Sequence, residues 1–547
     1  MELKQLIIGL AIAFISYIVI EQQRPKKGVQ EPPCHPAKIP LIGHIIGFAR
    51  DGLGYFGKAC VKSDEAIVTI NFLVSKVYLV NKSSAVAQVQ RNAKVITFDP
   101  FVDSAAERMA GVSRKGLKLL TGKENGGGDL NRKRQNAQHF AEGSHIERTA
   151  SLGFFTAVLL LWGIVLLNNY NIIKAMHPAL LGPGLDIANR NMVNNLVKSV
   201  NELDTLDGKS FDLYAWARHA ITIASTDAVW GEKNPIKDPK IEKAFWDFEM
   251  NLRLLVVNIL PSIIARKAYL GREKVVAAFV KYYNEGGQKS ASELAQTRWN
   301  VQHENGASIE DISRMETATV IGVVSNTTSS SFWMLYEVYS RPALLAQLRD
   351  EVREHALKKN ESGKMIIDLA AMRDNCPNLL ATFQEVLRTR SNVAPTRFVM
   401  DDVVLSDKYL LKKGRVLVMP GMSMNYESGI WGDDSKTFDP TRFKKEHLKQ
   451  RPTSFMSFGA SPSLCPGRHF ASGEILGMAA MMMLRYDITP VGGKWILPKF
   501  WKDAIAASLP SLAEPFNVTI TPREEFVNAT WAYESTDGKG KFPLITG

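Results

Sequence analysis

One short segment near the C-terminus constrains the fold of this 547-residue chain more than any other part of the sequence. It runs from Phe455 to Ala471 and reads FMSFGASPSLCPGRHFA. A single cysteine, Cys465, stands in a loop rich in Gly, Pro and Ser, and a helical run, Phe470–Met483, follows it. A cysteine just before a helix meets the positive end of the helix dipole and unpaired backbone N–H groups, which favour its thiolate. The segment therefore predicts a thiolate loop that can ligate iron.

The rest of the chain reads as a mainly helical protein with small β-sheets. Helical periodicity dominates from about Gly43 onward, and strand-like runs occur at Ala66–Phe72, Lys76–Val80, Val416–Met419 and Phe516–Ile520. Hydrophobic residues make up 45% of the chain and charged residues 22%. This balance excludes a mainly disordered protein, and the mean hydropathy of -0.09 excludes a multi-span membrane protein.

Charge and cysteine content narrow the possible partners. The chain has 67 Lys and Arg against 55 Asp and Glu, a net charge of +12 that suits nucleic acid, an anionic membrane or an acidic protein. No helix-turn-helix, zinc-finger or aromatic-plus-basic stacking pattern accompanies the basic patches, so no nucleic-acid partner is predicted. The 4 cysteines form no C-x-x-C motif, which argues against structural zinc or a disulfide framework and for a reducing compartment.

The N-terminus predicts a membrane anchor. Residues Leu6–Ile20 are uncharged and apolar, and Arg24, Lys26 and Lys27 follow them. The stretch is just long enough to cross a bilayer as a helix, and the basic cluster predicts that the later chain stays cytosolic. We expect an anchor over 1–23, a basic and Pro-rich hinge over 24–42 and a folded body over 43–547, on the endoplasmic reticulum membrane in a single-pass arrangement. A cleaved signal peptide is the competing interpretation.

A second charge-free apolar run, Ser151–Leu167, interrupts the helical body. It could be a fully buried core helix, a second membrane-contacting element, or an inserted segment such as a retained intron. We favour the third interpretation, over residues 144–175, because the family likeness described next is interrupted there. A peptide map of the natural protein that lacks residues 144–175 would support it.

The spacing within the cysteine loop closely resembles a known signature. The residues that match the pattern F-G-x-x-x-x-x-C-x-G-R-x-x-A, the haem loop of the cytochrome P450 family, are Phe458, Gly459, Cys465, Gly467, Arg468 and Ala471. The resemblance implies haem b as cofactor, Cys465 as the axial ligand of its iron, and haem contacts from the neighbouring loop residues. The family usually has Gly where Ser461 stands and a basic residue where Ser463 stands, and the second difference removes one expected partner of a haem propionate.

Two further motifs support the resemblance. Glu385 and Arg388 lie at i, i+3 on one helical face within Ala381–Arg390, the spacing for an ion pair. Trp431-Gly-Asp-Asp and the later stretch Phe438–Phe443 look like the family's meander, so the resemblance implies a Glu–Arg–Arg network of Glu385, Arg388 and Arg442. Between these motifs, Arg397 is the expected contact for a haem propionate, the alternative being a surface arginine on a strand.

The helix expected to cross the distal face of the haem is Thr317–Tyr336. The family pattern there is small–Gly–x–acid–Thr, in which the acid and the alcohol manage water and proton delivery. Anchoring on Trp333 places Ser325 at the acid position and Asn326 at the threonine position, whereas a register shifted by one would give Thr327 the alcohol position. The pattern S-N-T-x-S-x-S-F-W is similar to the branch that contains sterol 7-hydroxylases and prostacyclin synthase. The candidate catalytic residues are therefore Asn326, Ser325 and Thr327.

The resemblance implies a membrane-anchored haem-thiolate monooxygenase that oxidises a lipophilic substrate, such as a steroid, a terpenoid or another secondary metabolite, with dioxygen. Its electrons would come from NADPH through NADPH-cytochrome P450 reductase, since nothing in the chain resembles a flavin or nicotinamide site. The missing acid–Thr pair keeps a second hypothesis open, a haem-thiolate isomerase or dehydratase that needs no external electrons. A non-catalytic haem-binding protein is the third.

Overall fold

The computed structural model describes residues 28–37, 39, 42–52, 54–60, 63–72, 75–98, 100–101, 105–120, 170–444, 452–501 and 504–545. The predicted anchor over 1–23 and the apolar run Ser151–Leu167 lie outside these ranges. Within them, no helix is both long enough and apolar enough to cross a bilayer.

Helices account for most of the described chain, as predicted. The α-helices are α1 (Gly43–Asp51), α2 (Gly54–Cys60), α3 (Ser83–Arg91), α4 (Arg114–Leu120), α5 (Tyr170–Leu181), α6 (Pro183–Asn201), α7 (Leu213–Trp230), α8 (Pro239–Glu249), α9 (Leu252–Val257), α10 (Pro261–Ile264), α11 (Arg266–Asn284), α12 (Glu293–Glu304), α13 (Ile309–Tyr339), α14 (Pro342–His355), α15 (Leu369–Asn375), α16 (Pro377–Arg390), α17 (Gly421–Asn425), α18 (Ser428–Trp431) and α19 (Arg468–Arg485). Shorter turns of 3-10 helix lie at Glu202–Leu206, Pro235–Lys237, Gly287–Ser290, Pro440–Phe443, Pro452–Ser454 and Glu524–Phe526, and a π-helical turn lies at Ala106–Ala110.

The strands are short. They are β1 (Ile67–Phe72), β2 (Ser75–Val80), β3 (Ile96–Thr97), β4 (Ser210–Asp212), β5 (Leu357–Lys359), β6 (Met365–Asp368), β7 (Thr396–Val399), β8 (Val403–Leu405), β9 (Tyr409–Leu411), β10 (Val416–Val418), β11 (Gly459–Ala460), β12 (Ser463–Leu464), β13 (Tyr486–Pro490), β14 (Asn517–Pro522) and β15 (Trp531–Glu534).

The chain divides into two compact units. The first comprises the residues up to Thr97 together with Arg397–Met419. It holds a five-stranded sheet in the order β1-β2-β10-β7-β3, in which β1 pairs antiparallel and β10 parallel with β2, and the separate hairpin of β8 and β9. The Pro-rich segment at Gln30–His35 lies extended along this unit, where Glu31 pairs with Lys76 at 2.7 Å.

The second unit, Phe98–Thr396 with Pro420 onward, contains the long helices that position the site. At its centre, α13 packs against α7, α11, α16 and α19. Local sequence fixes where α13 begins, because the hydroxyl of Ser308 accepts from the backbone N–H of Asp311 at 3.1 Å and satisfies one otherwise unpaired donor of the first turn. Three small sheets, β13-β14-β4, β15-β6-β5 and β11-β12, complete this unit.

Candidate functional site

The cysteine loop is a tight hairpin closed by its own backbone. Strands β11 and β12 pair antiparallel, and the N–H of Cys465 donates to the carbonyl of Phe458 at 2.8 Å. Gly459 has φ +94°, a conformation that glycine adopts readily, and a Cβ there would lie 2.9 Å from the carbonyl oxygen of Ser463. The first glycine of the motif is therefore required by the hairpin itself.

Burial controls the acidity of Cys465. It raises the pKa of the thiol to about 11, although the N–H of Gly467 and the guanidinium of Arg468 both lower it. The groups at the helix start thus favour the thiolate as expected, but in the protein alone desolvation outweighs them. A bound metal cation would reverse this balance, since a thiolate is the form that ligates metal.

The surroundings of Cys465 fit an iron-bearing cofactor. Cys465 is buried deeply enough for its pKa to rise, and yet the residue keeps part of its surface accessible. Arg468 donates from Nη1 to the carbonyl of Cys465 at 2.9 Å and so braces the loop from behind. Apart from the neighbours of Gly467 in the chain, no residue in the described ranges has an atom within 4 Å of the place that a Cβ would occupy there. The loop thus holds a single soft ligand, with open space at Gly467 and a basic residue nearby.

The predicted ion pair between Glu385 and Arg388 is formed in the core. The two side chains are fully buried and meet in a bidentate contact, Nε to Oε2 at 2.7 Å and Nη2 to Oε1 at 2.6 Å. The remaining Arg388 donors bind the carbonyls of Asn425, Ser435 and Thr437 at 2.7, 2.5 and 3.1 Å. All five N–H groups of the guanidinium are engaged, so α16 holds the segment after α17 in one position.

Arg442 joins this network at its edge. Its Nε lies 4.0 Å from Oε1 of Glu385, while its terminal nitrogens bind the carbonyl of Trp431 and, at 2.7 Å, the carboxylate of Asp434. The structure therefore brings Glu385, Arg388 and Arg442 together, with Arg442 at ion-pair distance and not at hydrogen-bond distance from the shared carboxylate.

An aromatic chain links the network to the cysteine loop. The ring centroids of Trp431 and Phe443 are 5.5 Å apart, and those of Phe443 and Phe455 are 5.0 Å apart. Phe455 opens the loop segment, and further along it Phe458 packs on Phe383 of α16, with a centroid distance of 6.4 Å. The loop is thus fixed by both the ion-pair network and the packed rings.

One face of α13 remains accessible inside the otherwise buried middle of this helix. From Met315 to Tyr339, the half-buried residues are Thr319, Gly322, Val323 and Asn326, at spacings of 3, 1 and 3 residues. These positions form one stripe on a helix. Apart from its own stretch of helix, no described residue has an atom within 4 Å of the place that a Cβ would occupy at Gly322, so the stripe borders open space there. We call this set the accessible stripe.

The stripe separates the three distal candidates. Asn326 lies on it, and its Oδ1 accepts from the N–H and the hydroxyl of Ser508 at 2.7 and 2.9 Å. Its amide nitrogen makes no hydrogen bond to any residue that the structure describes. Thr327 is buried off the stripe, and its hydroxyl donates to the carbonyls of Val323 and Val324 in its own helix at 3.0 and 3.1 Å. Ser325 is also buried off the stripe.

Arg397 belongs to the other compact unit. It is buried on β7, within the five-stranded sheet. The alternative to a propionate contact, a surface arginine on a strand, is wrong on exposure and right on secondary structure. Its predicted contact with a haem propionate stays a prediction, as do the cofactor roles of Phe458, Gly459, Gly467 and Arg468.

Two residues of this region were missed from the sequence. Ser508 lies in an irregular loop with no motif to identify it. Glu249 is a fully buried carboxylic acid at the end of α8, near Ser325. A signal for Glu249 does exist, because it follows Ile241, Phe245 and Phe248 at helical spacing and is therefore an acid on an apolar face.

Comparison with known proteins agrees with this geometry. The family model described as Cytochrome P450 matches residues 172–513. A cytochrome P450 monooxygenase of Hypoxylon pulicicidum, nodJ, is 39% identical over an alignment that covers 100% of both chains. A cytochrome P450 monooxygenase of Gibberella zeae is 24% identical over 90% of this chain and 88% of its own. Human cytochrome P450 4F2 is 32% identical over 33% of this chain and 34% of its own.

Proposed function

Because the chain belongs to the cytochrome P450 family, we propose that this monooxygenase oxidises a lipophilic substrate. The proposed substrate is a steroid, a terpenoid or another secondary metabolite, and a partner protein on the same membrane supplies the electrons. The observation that carries the proposal is the arrangement within the second unit: a hairpin holds the partly accessible Cys465, and α13 borders open space at Gly322 on its accessible stripe. Haem held by a cysteine thiolate supplies the oxygen-activating chemistry of this family.

The residues of this chain hold the cofactor loop in place, line the site with apolar side chains and orient one polar group toward it. Cys465 would hold the iron, and Arg468 keeps its loop in place through the carbonyl of Cys465. The stripe offers Gly322 and Val323 as an apolar wall, which favours a lipophilic substrate. The amide nitrogen of Asn326 is the polar group on that wall, and the two bonds from Ser508 fix its orientation. It can donate one hydrogen bond to a substrate oxygen or to water.

The proposed electron donor is NADPH-cytochrome P450 reductase. The net charge of +12 supports a partner with an acidic docking face, since complementary charge raises the rate of encounter. NADPH would then act only indirectly, through the reductase.

We also propose attachment to the endoplasmic reticulum membrane with the catalytic body in the cytosol. The apolar N-terminal run supports an anchor, and the structure adds a second feature. The segment across α9 and α10 exposes large aliphatic side chains, with Ile259 56%, Leu260 63% and Ile263 70% exposed. Such a cluster favours contact with lipid or with an apolar partner.

The proposal is tested first by the carbon monoxide difference spectrum of the reduced holoprotein. We expect a red-shifted thiolate-type band that is lost in Cys465→Ser. Cys34→Ser is the matched control, because Cys34 is also half-buried but lies in the other compact unit. Absence of the band in the wild type, or its survival in Cys465→Ser, would refute the assignment.

A second experiment separates the two enzyme classes. A panel of steroids and terpenoids is incubated with NADPH and reductase, and in parallel an organic hydroperoxide is supplied without reductase. Reductase-dependent incorporation of oxygen supports the monooxygenase. Rearrangement or dehydration without reductase would instead identify an isomerase or a dehydratase.

A further inference from the structure

A segment that follows β15 crosses the helices that hold the cysteine loop. It comprises residues 537–545 and contains no helix or strand. Its three large apolar side chains, Phe542, Leu544 and Ile545, pack against the core of the second unit. A segment of this kind is poorly ordered unless groups of the folded body bind it. We call residues 537–545 the strap, and the groups that bind its backbone indicate what it does.

The beginning of the strap is bound to α6. Asp186 accepts from the backbone N–H of Gly538 at 2.7 Å, and Arg190 forms an ion pair with Asp537. The backbone at Gly540 lies so close to the helix that a Cβ there would be 2.6 Å from Oδ1 of Asp186. A larger residue at position 540 would therefore push the strap away from α6.

The end of the strap is bound to α16 and to the first turn of α19. The N–H of Phe542 donates to Nδ1 of His469 at 3.1 Å, and the N–H of Ile545 donates to Oε1 of Gln384 at 2.9 Å. Both acceptor residues are buried. Because a backbone N–H can only donate, Nδ1 of His469 must accept, so the ring is neutral and carries its proton on Nε2. Burial lowers the pKa of His469 to about 4, which agrees with a neutral ring.

These two acceptors are next to the residues that hold the ends of the cysteine loop. Gln384 follows the residue of α16 on which Phe458 packs. His469 follows Arg468, which donates to the carbonyl of Cys465. The hairpin bond from the N–H of Cys465 to the carbonyl of Phe458 joins the same two ends of the loop. The strap therefore links α16 and α19 at the points where each helix supports the loop.

We propose that the strap sets the position in which Cys465 ligates the haem iron, with His469 as its main positioning residue. The inference rests on the haem-thiolate function proposed above. His469 acts through the backbone of α19 and through Arg468, and not as a ligand. While His469 holds the strap, the two ends of the loop keep one separation and the hairpin bond of Cys465 stays closed. Release of the strap lets α19 move relative to α16, and the hairpin then opens more often.

Two measurements on the full-length holoprotein test this inference. The first is the hydrogen exchange of the Cys465 N–H, which we expect to be about tenfold faster in His469→Leu, because leucine offers no acceptor to the strap. The second is the carbon monoxide difference spectrum of the reduced protein at equal haem content. In His469→Leu, part of the thiolate-type band should be replaced by the blue-shifted band of haem without a thiolate ligand. His469→Asn, whose Oδ1 can still accept from Phe542, should recover most of the wild-type behaviour.

Tyr533→Phe is the matched control, because Tyr533 also binds α19 from outside the strap. Its hydroxyl donates to the carbonyl of Gly477 at 2.8 Å, about two helical turns beyond His469. The variant removes one hydrogen bond to the same helix and leaves the strap in place, so exchange at Cys465 and the band should match the wild type. An equal change in Tyr533→Phe and His469→Leu would show general loosening of α19, and would overturn the inference.

Gly540→Val tests the strap without altering α19, and it decides the question if His469→Leu fails to bind haem. The valine side chain would collide with Asp186, so the strap should leave α6 and both measurements should change in the same direction as in His469→Leu. Wild-type exchange and an intact thiolate band in either variant would overturn the inference and leave the haem-thiolate function standing. Absence of the thiolate band from the wild type would refute the function and the inference together.

Discussion

Glu385 and Arg388 lie on one turn of α16, and their charges neutralise each other out of contact with solvent. Arg388 donates to the Glu385 carboxylate through Nη2 at 2.6 Å and through Nε at 2.7 Å. The guanidinium also binds three backbone carbonyls of the segment that precedes the cysteine loop. The pair therefore acts as a structural joint: it ties a regular helix to the segment between α17 and the cysteine loop. The pair helps to position Cys465, because the packed rings of Trp431, Phe443 and Phe455 connect this segment to the cysteine loop.

Removing the charge of Glu385 should destabilise the protein strongly. Glu385→Gln leaves the buried guanidinium of Arg388 without a carboxylate, and breaking a buried pair in this way costs about 3–5 kcal/mol of unfolding free energy. Denaturant unfolding and haem content measure the effect. Arg353→Gln is the control, because Arg353 pairs with Glu525 at the surface and its loss should change stability by less than about 1 kcal/mol. Equal stability of Glu385→Gln and the wild type would contradict the joint.

Glu474 should make the stability of the protein depend on pH. Burial within α19 raises its pKa to about 8, even though the hydroxyl of Ser225 donates to it at 2.6 Å. In the unfolded chain the group titrates near 4.5, so between pH 4.5 and 8 the unfolded state releases a proton that the folded state keeps. The free energy of unfolding therefore falls as pH rises through this window.

Glu474→Gln should flatten that dependence. Glutamine can still accept from Ser225 and has no proton to lose, so its Tm should fall less than the wild-type Tm between the two ends of the window. Glu249, whose pKa is also raised, adds a slope of the same sign and leaves a residual dependence in the variant. Parallel Tm curves for variant and wild type would show that Glu474 titrates normally in the folded protein.

Asn326 should hold the loop around Ser508 against the distal helix. Asn326→Ala removes the acceptor of both Ser508 bonds, so the backbone N–H of Ser508 should exchange with deuterium faster. The carbonyl of Ser508 keeps its bond from Asn392, so the loop should loosen without detaching. Thr327→Ala serves for comparison, since the Thr327 hydroxyl binds only its own helix, and it should leave the exchange of Ser508 as in the wild type.

The apolar surface of α9 and α10 should meet lipid when the full-length protein is bound to vesicles. A polarity-sensitive fluorophore on Ile263→Cys should report an apolar environment, because Ile263 is the most exposed of the large aliphatic residues there. The same fluorophore on Val527→Cys, which is also exposed but far along the chain, should stay in water. Identical spectra at the two positions would exclude lipid contact by this surface.

Sequence reasoning succeeded where the signal is local. The strand predicted over Ala66–Phe72 is β1, Ile67–Phe72, and the helix predicted over Phe470–Met483 is the core of α19, Arg468–Arg485. The pairing of Glu385 with Arg388 could also be predicted, since i, i+3 spacing places both side chains on one face of α16. The raised pKa of Cys465 could not be predicted, because burial depends on everything packed around the loop.

The influence of Ser325 on the pKa of Glu249 could not be predicted from the sequence either. The two residues lie on helices far apart in the chain, and only the tertiary packing of α8 near α13 brings them together. The register of the distal helix had the same limitation. The sequence left Asn326 and Thr327 as alternatives for one position, and the accessible stripe separates them only because neighbouring elements bury every other face.

The accessible stripe is small, which limits the positions at which mutation can change the substrate selectivity of this enzyme. From Thr319 to Asn326 it measures about 10 Å along the axis of α13. Thr319 is already tied to the buried Arg298, which leaves Gly322, Val323 and Asn326 as the positions where a new side chain meets space before it meets the core. A mutant library confined to those three codons would sample selectivity, whereas one spread over the whole helix would mostly collect proteins that no longer fold.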